Sequence, residues 1–311
     1  MIQKVQNDPN HFRFQFFYYN RARDAMHDAV RQLAKKGYMN IYIPGYIGWS
    51  PKEGSGIFDP LNSIPNLTRR YYVMDRQLHI DINDLQESLL DHSILLLVNY
   101  FGFRDNCFSE VVRIAHDRDC VVIEDNAHGF FTYFCNDPMG SDLTFFSLHK
   151  LFPFPIGGGL LLENPSLRIN PVENLPKSFD QDPFSYNIHA IAQKRLSNYR
   201  ILAQLVKGKE QYFIPLKNFE DLESNVPQTF PIIILEGNRN QIYEIMNASG
   251  YGVVSLYHTM IDELRTERYR DACWLSEHIM NLPVHQDCDE NEYPAMMKTL
   301  VQTCLDTKKT R

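Results

Sequence analysis

One lysine in this chain stands in unusual company. In "FFSLHKLFPFPIGGGLLL", residues 145–162, Lys150 follows Ser147 by three places and precedes the glycine triplet Gly157 to Gly159 by seven. A second stretch, "VVIEDNAHG" (121–129), runs from branched apolar residues straight into Glu124, Asp125 and His128, and a third, "YIPGYIGW" (42–49), ends in Tyr46 and Trp49. An amine, a carboxylate, an imidazole, a hydroxyl and an aromatic face are the groups that a pyridoxal phosphate site requires. The amine forms a Schiff base with the cofactor aldehyde, the carboxylate pairs with the protonated pyridine nitrogen, and an aromatic ring packs on the cofactor's face. Hydroxyls, glycine-rich turns and helix N-termini hold the phosphate. Each residue also has a plainer role open to it. A lysine after a strand is ordinarily a solvated charge, Asp125 could cap a helix, His128 could be a satisfied core imidazole, and Tyr46 and Trp49 could be packing.

The elements around these residues decide whether they can meet. "NIYIPGY" (40–46), "SILLLVNYFG" (93–102), "CVVIEDNAHG" (120–129), "LTFFSL" (143–148) and "GLLLEN" (159–164) are short apolar runs closed by polar or glycine residues, and they read as buried strands. Helical patterns alternate with them at 21–37, with Gly37 as a stop, at 81–90 and at 109–119. That alternation predicts an α/β lobe built on a mostly parallel sheet, whose ligands sit at the carboxyl ends of the strands. After a proline- and asparagine-containing stretch from about residue 165, a long helix is expected over 187–208. The lobe boundary is placed near its end, giving 1–207 as the large domain and 208–311 as a smaller α+β domain. There a strand is expected at 229–235, helices near 239–249 and over 263–281, and an amphipathic segment from 293.

Composition narrows the partners. A chain of 311 residues that is 44% hydrophobic can bury a large core, and it contains no apolar run approaching the roughly 20 residues of a membrane span. The start, "MIQKVQNDPNHFRF", lacks the layout of a signal peptide, so a cytoplasmic protein is expected. The six cysteines include no CxxC pair, which removes the usual zinc and redox motifs and leaves buried free thiols. A net charge of −7 with acids and bases interleaved argues against nucleic acid or an anionic membrane and for small-molecule substrates.

"VVIEDNAHGF" followed by "GSDLTFFSLHKLFPFPIGGGLLL" closely resembles the DegT/DnrJ/EryC1/StrS family of pyridoxal-phosphate aminotransferases, fold type I of the aspartate aminotransferase superfamily. "IPGY", "NYFGF", "FSYNIHAIAQKRL", "LYHTM" and "LSEHIMNLPVHQD" are similar to further family segments, so the resemblance covers most of the chain. It implies a three-layer α/β/α fold and pyridoxal 5'-phosphate as cofactor. It implies that Lys150 forms the internal aldimine, Asp125 pairs with the pyridine nitrogen, His128 lies near the ring hydroxyl and Ser147 binds the phosphate. Ala22, Arg23 and Asp24 fall where the family donates backbone N–H groups to the phosphate, and Trp49 is the expected ring-stacking residue. Asn187 matches an asparagine that reaches the neighbouring subunit's phosphate, although it could equally cap a helix. Two departures are visible: "ARDAM" replaces the family's Gly-Thr pair, and the aromatic falls one place late after Pro44.

The expected activity is therefore transamination, from an amino acid donor to a carbonyl acceptor that the resemblance implies is a nucleotide-linked keto-sugar, in a homodimer with shared sites. His149 beside Lys150 keeps a dehydratase in view, because some relatives carry histidine in place of the lysine. A lyase, or a catalytically silent binding protein on the same scaffold, would use the same cofactor residues.

Overall fold

The computed structural model describes residues 15–51, 54–176, 182–254 and 256–308. The chain opens with β1 (Gln15–Tyr19), α1 (Ala22–Ala34), β2 (Asn40–Pro44), α2 (Phe58–Asn62), β3 (Thr68–Tyr72), α3 (Ile82–Ser88), β4 (Ile94–Val98) and α4 (Phe108–His116). It continues through β5 (Val121–Asn126), α5 (Phe130–Phe134), β6 (Leu143–Ser147), β7 (Gly158–Leu162) and the long α6 (Ile188–Val206). The last part holds β8 (Phe213–Pro215), β9 (Thr229–Ile234), α7 (Arg239–Ala248), α8 (Arg270–His278), β10 (Ile279–Pro283) and α9 (Tyr293–Lys308).

Seven strands form one sheet in the order β1-β7-β6-β5-β4-β2-β3, flanked by helices. β3, β2, β4, β5 and β6 run parallel, and β7 is antiparallel to both of its neighbours, β6 and β1. Strands covered on both faces read as continuous apolar runs. Ile94, Leu95, Leu96 and Leu97 of β4 are all buried, and each such side chain contributes roughly 1.5–3 kcal/mol relative to exposure. Because β7 returns antiparallel to β6, residues 148–157 form a loop at the carboxyl end of β6, which is where Lys150 lies. A second, antiparallel sheet orders its strands β10-β9-β8.

One expectation changes. The helix expected over 263–281 is confined to α8, and "IMNLP" that follows is β10, paired in register with β9 from Ile279↔Ile233 to Pro283↔Thr229. The apolar spacing there fits either period, and the neighbouring strand decides between them. The edge strands β1 and β3 carry weak apolar patterns and are fixed by pairing with β7 and β2. Among the described residues no helix is long and apolar enough to cross a membrane, and all six cysteines are unbridged.

Candidate active site

The carboxyl ends of β5 and β6 and the start of α1 converge on a cavity of about 760 Å³. Arg21, Ala22, Arg23, Trp49, Asp125, His128, Ser147, His149 and Lys150 all border it, so most of the residues singled out in the sequence meet in one place.

Asp125 and Glu124 are adjacent on β5, and strand alternation sends them to opposite faces. Asp125 faces the cavity, buried, with one carboxylate oxygen accepting the Ala127 N–H at 2.8 Å. Burial raises its pKa to about 6, against the opposing pull of that N–H and of the Lys150 charge. Glu124 leaves the site altogether. Fully buried, it receives Arg104 Nε at 2.8 Å, the Asn99 side-chain amide at 2.6 Å and the Ser141 hydroxyl at 3.2 Å. Its closest approach to the guanidinium is 2.7 Å, at Arg104 Nη2.

His128 is held from both sides. Its Nδ1 accepts the Phe101 N–H at 3.3 Å, and its Nε2 lies 3.1 Å from Lys150 Nζ. Burial first, and then the charge of Lys150, keeps its pKa well below the ordinary histidine value, so the ring is neutral. A neutral imidazole that accepts at Nδ1 carries its hydrogen on Nε2. In that tautomer Nε2 donates to Lys150 Nζ once the lysine is uncharged; toward the ammonium form, which can only donate, Nε2 would have to accept instead. The donor comes from a tight turn in which Phe101 adopts φ 58°, ψ 18°, a left-handed conformation uncommon for a bulky residue.

The glycine triplet serves packing at each position. Gly157 has φ +146°, its N–H donates to Asn20 O at 2.8 Å, and its carbonyl accepts the Leu148 N–H at 3.0 Å. A Cβ on Gly158 would fall 2.3 Å from the Arg21 carbonyl carbon and 2.5 Å from Ala22 N, and one on Gly159 would fall 2.2 Å from the Phe16 ring. Only glycine at 158 lets the start of α1 come down onto β7. The carbonyl of Gly157 also accepts from His149 Nδ1 at 3.2 Å, while Ser147 Oγ lies 3.4 Å from the same nitrogen. His149 has a lowered pKa, first through burial and then through the charges of Lys150, Arg21 and Arg23, with the Gly157 carbonyl opposing. Helix α1 begins at Ala22 without a side-chain cap. This corner therefore combines a helix N-terminus, two arginines, a hydroxyl and an imidazole, which is a donor set for a phosphate. With the buried carboxylate of Asp125 and the amine of Lys150 bordering the same cavity, the residues fit pyridoxal phosphate.

Besides Glu124 and Tyr46, Asp24 and Asn187 are not brought to the cavity within the chain. Asp24 N–H donates to Arg21 O at 3.1 Å in the first turn of α1, and its carboxylate receives the Asn174 amide at 3.4 Å. Asn187 caps α6, its Oδ1 accepting the Ala190 N–H at 3.0 Å. Of the two aromatics, Tyr46 is fully buried beside Tyr100, with ring centroids 5.4 Å apart, whereas Trp49 is 41% exposed at the cavity's edge. Sequence reasoning missed Arg21, although it directly precedes the helix start, and missed Tyr257 and His258, which border the cavity from more than a hundred residues downstream. "LYHTM" held a signal, an aromatic and an imidazole side by side, but nothing in it indicates where the segment folds back.

No protein-family model matches the chain. An arginine decarboxylase of Bacillus anthracis is 28% identical over 166 residues, a match that takes in 46% of this chain and 32% of that enzyme. The chain thus spans about a third of the length of the curated relative it matches. Among solved structures, a protein of Streptococcus pneumoniae assigned as a sugar aminotransferase, in its PLP form, superposes with TM-score 0.71 at 15% identity, over 94% of this chain and 87% of that one. The sugar aminotransferase CalS13 of Micromonospora echinospora gives 0.69 at 14%, over 92% and 87%. The GDP-4-keto-6-deoxy-D-mannose-3-dehydratase of E. coli, with bound hydrated PLP, gives 0.66 at 18%, over 92% and 87%. The mostly parallel sheet, its flanking helices and these superpositions identify the chain's architecture as that of the fold type I pyridoxal-phosphate enzymes, the fold that the DegT/DnrJ/EryC1/StrS resemblance implies.

Proposed function

We propose that this chain is a pyridoxal-phosphate-dependent aminotransferase that moves an amino group from an amino acid to a carbonyl acceptor, the acceptor being a nucleotide-linked keto-sugar. The observation that carries the reading is the meeting of Lys150, His128 and Asp125 in one cavity beside a cationic helix start. The superposition with sugar aminotransferases supports the choice of substrate class.

When bound, the cofactor supplies an aldehyde carbon for amine exchange and a ring that withdraws electrons from the substrate carbon. Lys150 would provide the amine that anchors it, and its Nζ would serve as the base and acid that moves a proton at the substrate carbon. Asp125, in a buried site where a charge acts strongly, holds the proton on the pyridine nitrogen. His128 would donate from Nε2 to the uncharged lysine or to the ring hydroxyl and so orient either. Ser147, Arg21, Arg23, His149 and the first N–H groups of α1, from Ala22, hold the phosphate. Asp24 contributes to that turn only through its backbone. Trp49 walls the opening of the cavity. Asn187 acts across a two-fold axis, on the site of the other subunit in a homodimer. The chain comprises a cofactor-binding unit, 1–207, and a smaller unit, 208–311, and works in the cytoplasm, a setting that six unbridged cysteines suit.

Reduction with borohydride in the presence of pyridoxal phosphate tests the first step: a mass increment on Lys150, absent in Lys150→Ala, is expected. An amino donor added without acceptor should then convert the cofactor to its aminated form. A dehydratase or lyase would share the adduct and need not accumulate that form. No adduct on Lys150 would overturn the reading.

A further inference from the structure

The cavity has an aromatic wall that comes from the C-terminal part of the chain. We propose that Tyr257, occupying the space left open at Gly48, is the side chain that covers the cofactor ring and fixes its tilt. This assignment rests on the site binding pyridoxal phosphate as described above.

Gly48 is a glycine for want of room. Its φ lies outside the left-handed region, so its backbone is open to any residue, yet a Cβ there would fall 2.7 Å from Tyr257 Cδ1 and 3.1 Å from Tyr257 Cα. The two positions compete for one space. A side chain can project from the loop after β2, or Tyr257 can lie there, but not both. The segment carrying Tyr257 is stitched to that loop by its backbone. Trp49 N–H donates to Thr259 O at 2.9 Å, Ile261 N–H donates to Ile47 O at 3.1 Å, and Gly48 and Met260 form an antiparallel bridge.

The ring of Tyr257 is also clamped. Its centroid lies 5.2 Å from that of Tyr46, 5.3 Å from Tyr100, 6.0 Å from Phe101 and 6.2 Å from His128, with edge-to-face angles of 78° to Tyr100 and 76° to Phe101. Tyr257 takes φ +62°, a conformation that a bulky residue adopts only where its surroundings impose it. The side chain borders the same cavity as Asp125, His128 and Lys150. An aromatic held by aromatics, beside the groups that receive the two ends of the cofactor ring, is a preformed wall for a flat ligand. Trp49, also an aromatic on the cavity, is 41% exposed and stands at its edge.

The experiment measures the affinity of cofactor-free protein for pyridoxal phosphate by titrating the visible absorbance of the bound form, with its circular dichroism as a signature of the ring's orientation. Tyr257→Phe should bind within about twofold of the unsubstituted chain, because the ring face and not the hydroxyl does the work. Tyr257→Ala should lose roughly tenfold, the scale of one aromatic contact, and alter the dichroism, while Trp49→Ala stays within about twofold. The decisive variant refills the space from the other side: Gly48→Phe combined with Tyr257→Ala should recover affinity that Gly48→Phe alone destroys. Unchanged affinity in Tyr257→Ala, or a loss that follows Trp49 instead, overturns the assignment to Tyr257 and leaves the cofactor reading standing. An unsubstituted chain that takes up no pyridoxal phosphate overturns both.

Discussion

His128 Nε2 stands 3.1 Å from Lys150 Nζ while His128 Nδ1 accepts the Phe101 N–H, so one backbone turn dictates which nitrogen of the imidazole faces the lysine. Glutamine can place its amide N–H near the position of Nε2, whereas asparagine reaches only about as far as Nδ1. His128→Gln is therefore expected to keep turnover within about tenfold of the unsubstituted chain, and His128→Asn to lose substantially more, on the scale of a hydrogen bond to a charged group, roughly 1.5–3 kcal/mol. Nitrogen-15 NMR of the cofactor-free protein, at a pH high enough to uncharge Lys150, should show the hydrogen of His128 on Nε2. Finding it on Nδ1 would contradict the geometry.

Asp125 gives opposite effects on stability and on activity. Its pKa is raised to about 6 in the cofactor-free fold, above the usual carboxylate value, so its ionisation opposes folding as pH rises through that range. The stability associated with the protonated form is fully present below about pH 4 and lost as pH passes through about 6. Asp125→Asn keeps an oxygen for the Ala127 N–H and carries no charge. It should make the cofactor-free protein more stable at pH 8 by an amount of order 2–3 kcal/mol, with the gain vanishing near pH 4, while turnover is largely lost. Denaturant unfolding at the two pH values, beside an activity assay, checks both halves. Equal stability at pH 8 would show that the carboxylate is solvated.

The Arg104–Glu124 pair lies behind the site, buried at both ends and tied to Asn99 and Ser141. Arg104→Leu leaves the Glu124 carboxylate buried beside neutral donors only, and a loss of about 3–5 kcal/mol is expected. Adding Glu124→Gln should return part of it. Thermal unfolding of the single and double variants is the measurement, and additive losses would mean that the two residues do not interact.

Asn187 caps α6 in its own chain and is proposed to serve the partner's site. Aspartate preserves the cap and adds a negative charge beside the phosphate, so Asn187→Asp should fold normally and turn over poorly. Refolded in equal amounts with Lys150→Ala, it should restore about a quarter of the unsubstituted activity, since half the dimers are mixed and each mixed dimer has one intact site. Full activity of Asn187→Asp alone would leave the residue as a cap and nothing more.

Local patterning in the sequence determined the strand ends that carry Asp125, Ser147 and Lys150, because buried parallel strands demand unbroken apolar runs and a polar residue closing such a run announces the sheet's edge. It also determined α1, α6 and the chemistry of the cavity, since residue types are all that such chemistry asks for. Only the tertiary structure decided that Glu124 turns away while its neighbour Asp125 turns in. Alternation separates the two but does not say which face is the site. It likewise decided that "IMNLP" pairs as β10 rather than extending α8, that Asp24 points away from the cavity, and that Tyr257 lies in the space of a side chain Gly48 does not have. These facts rest on contacts between residues far apart in the chain, and a window of sequence contains only one partner of each.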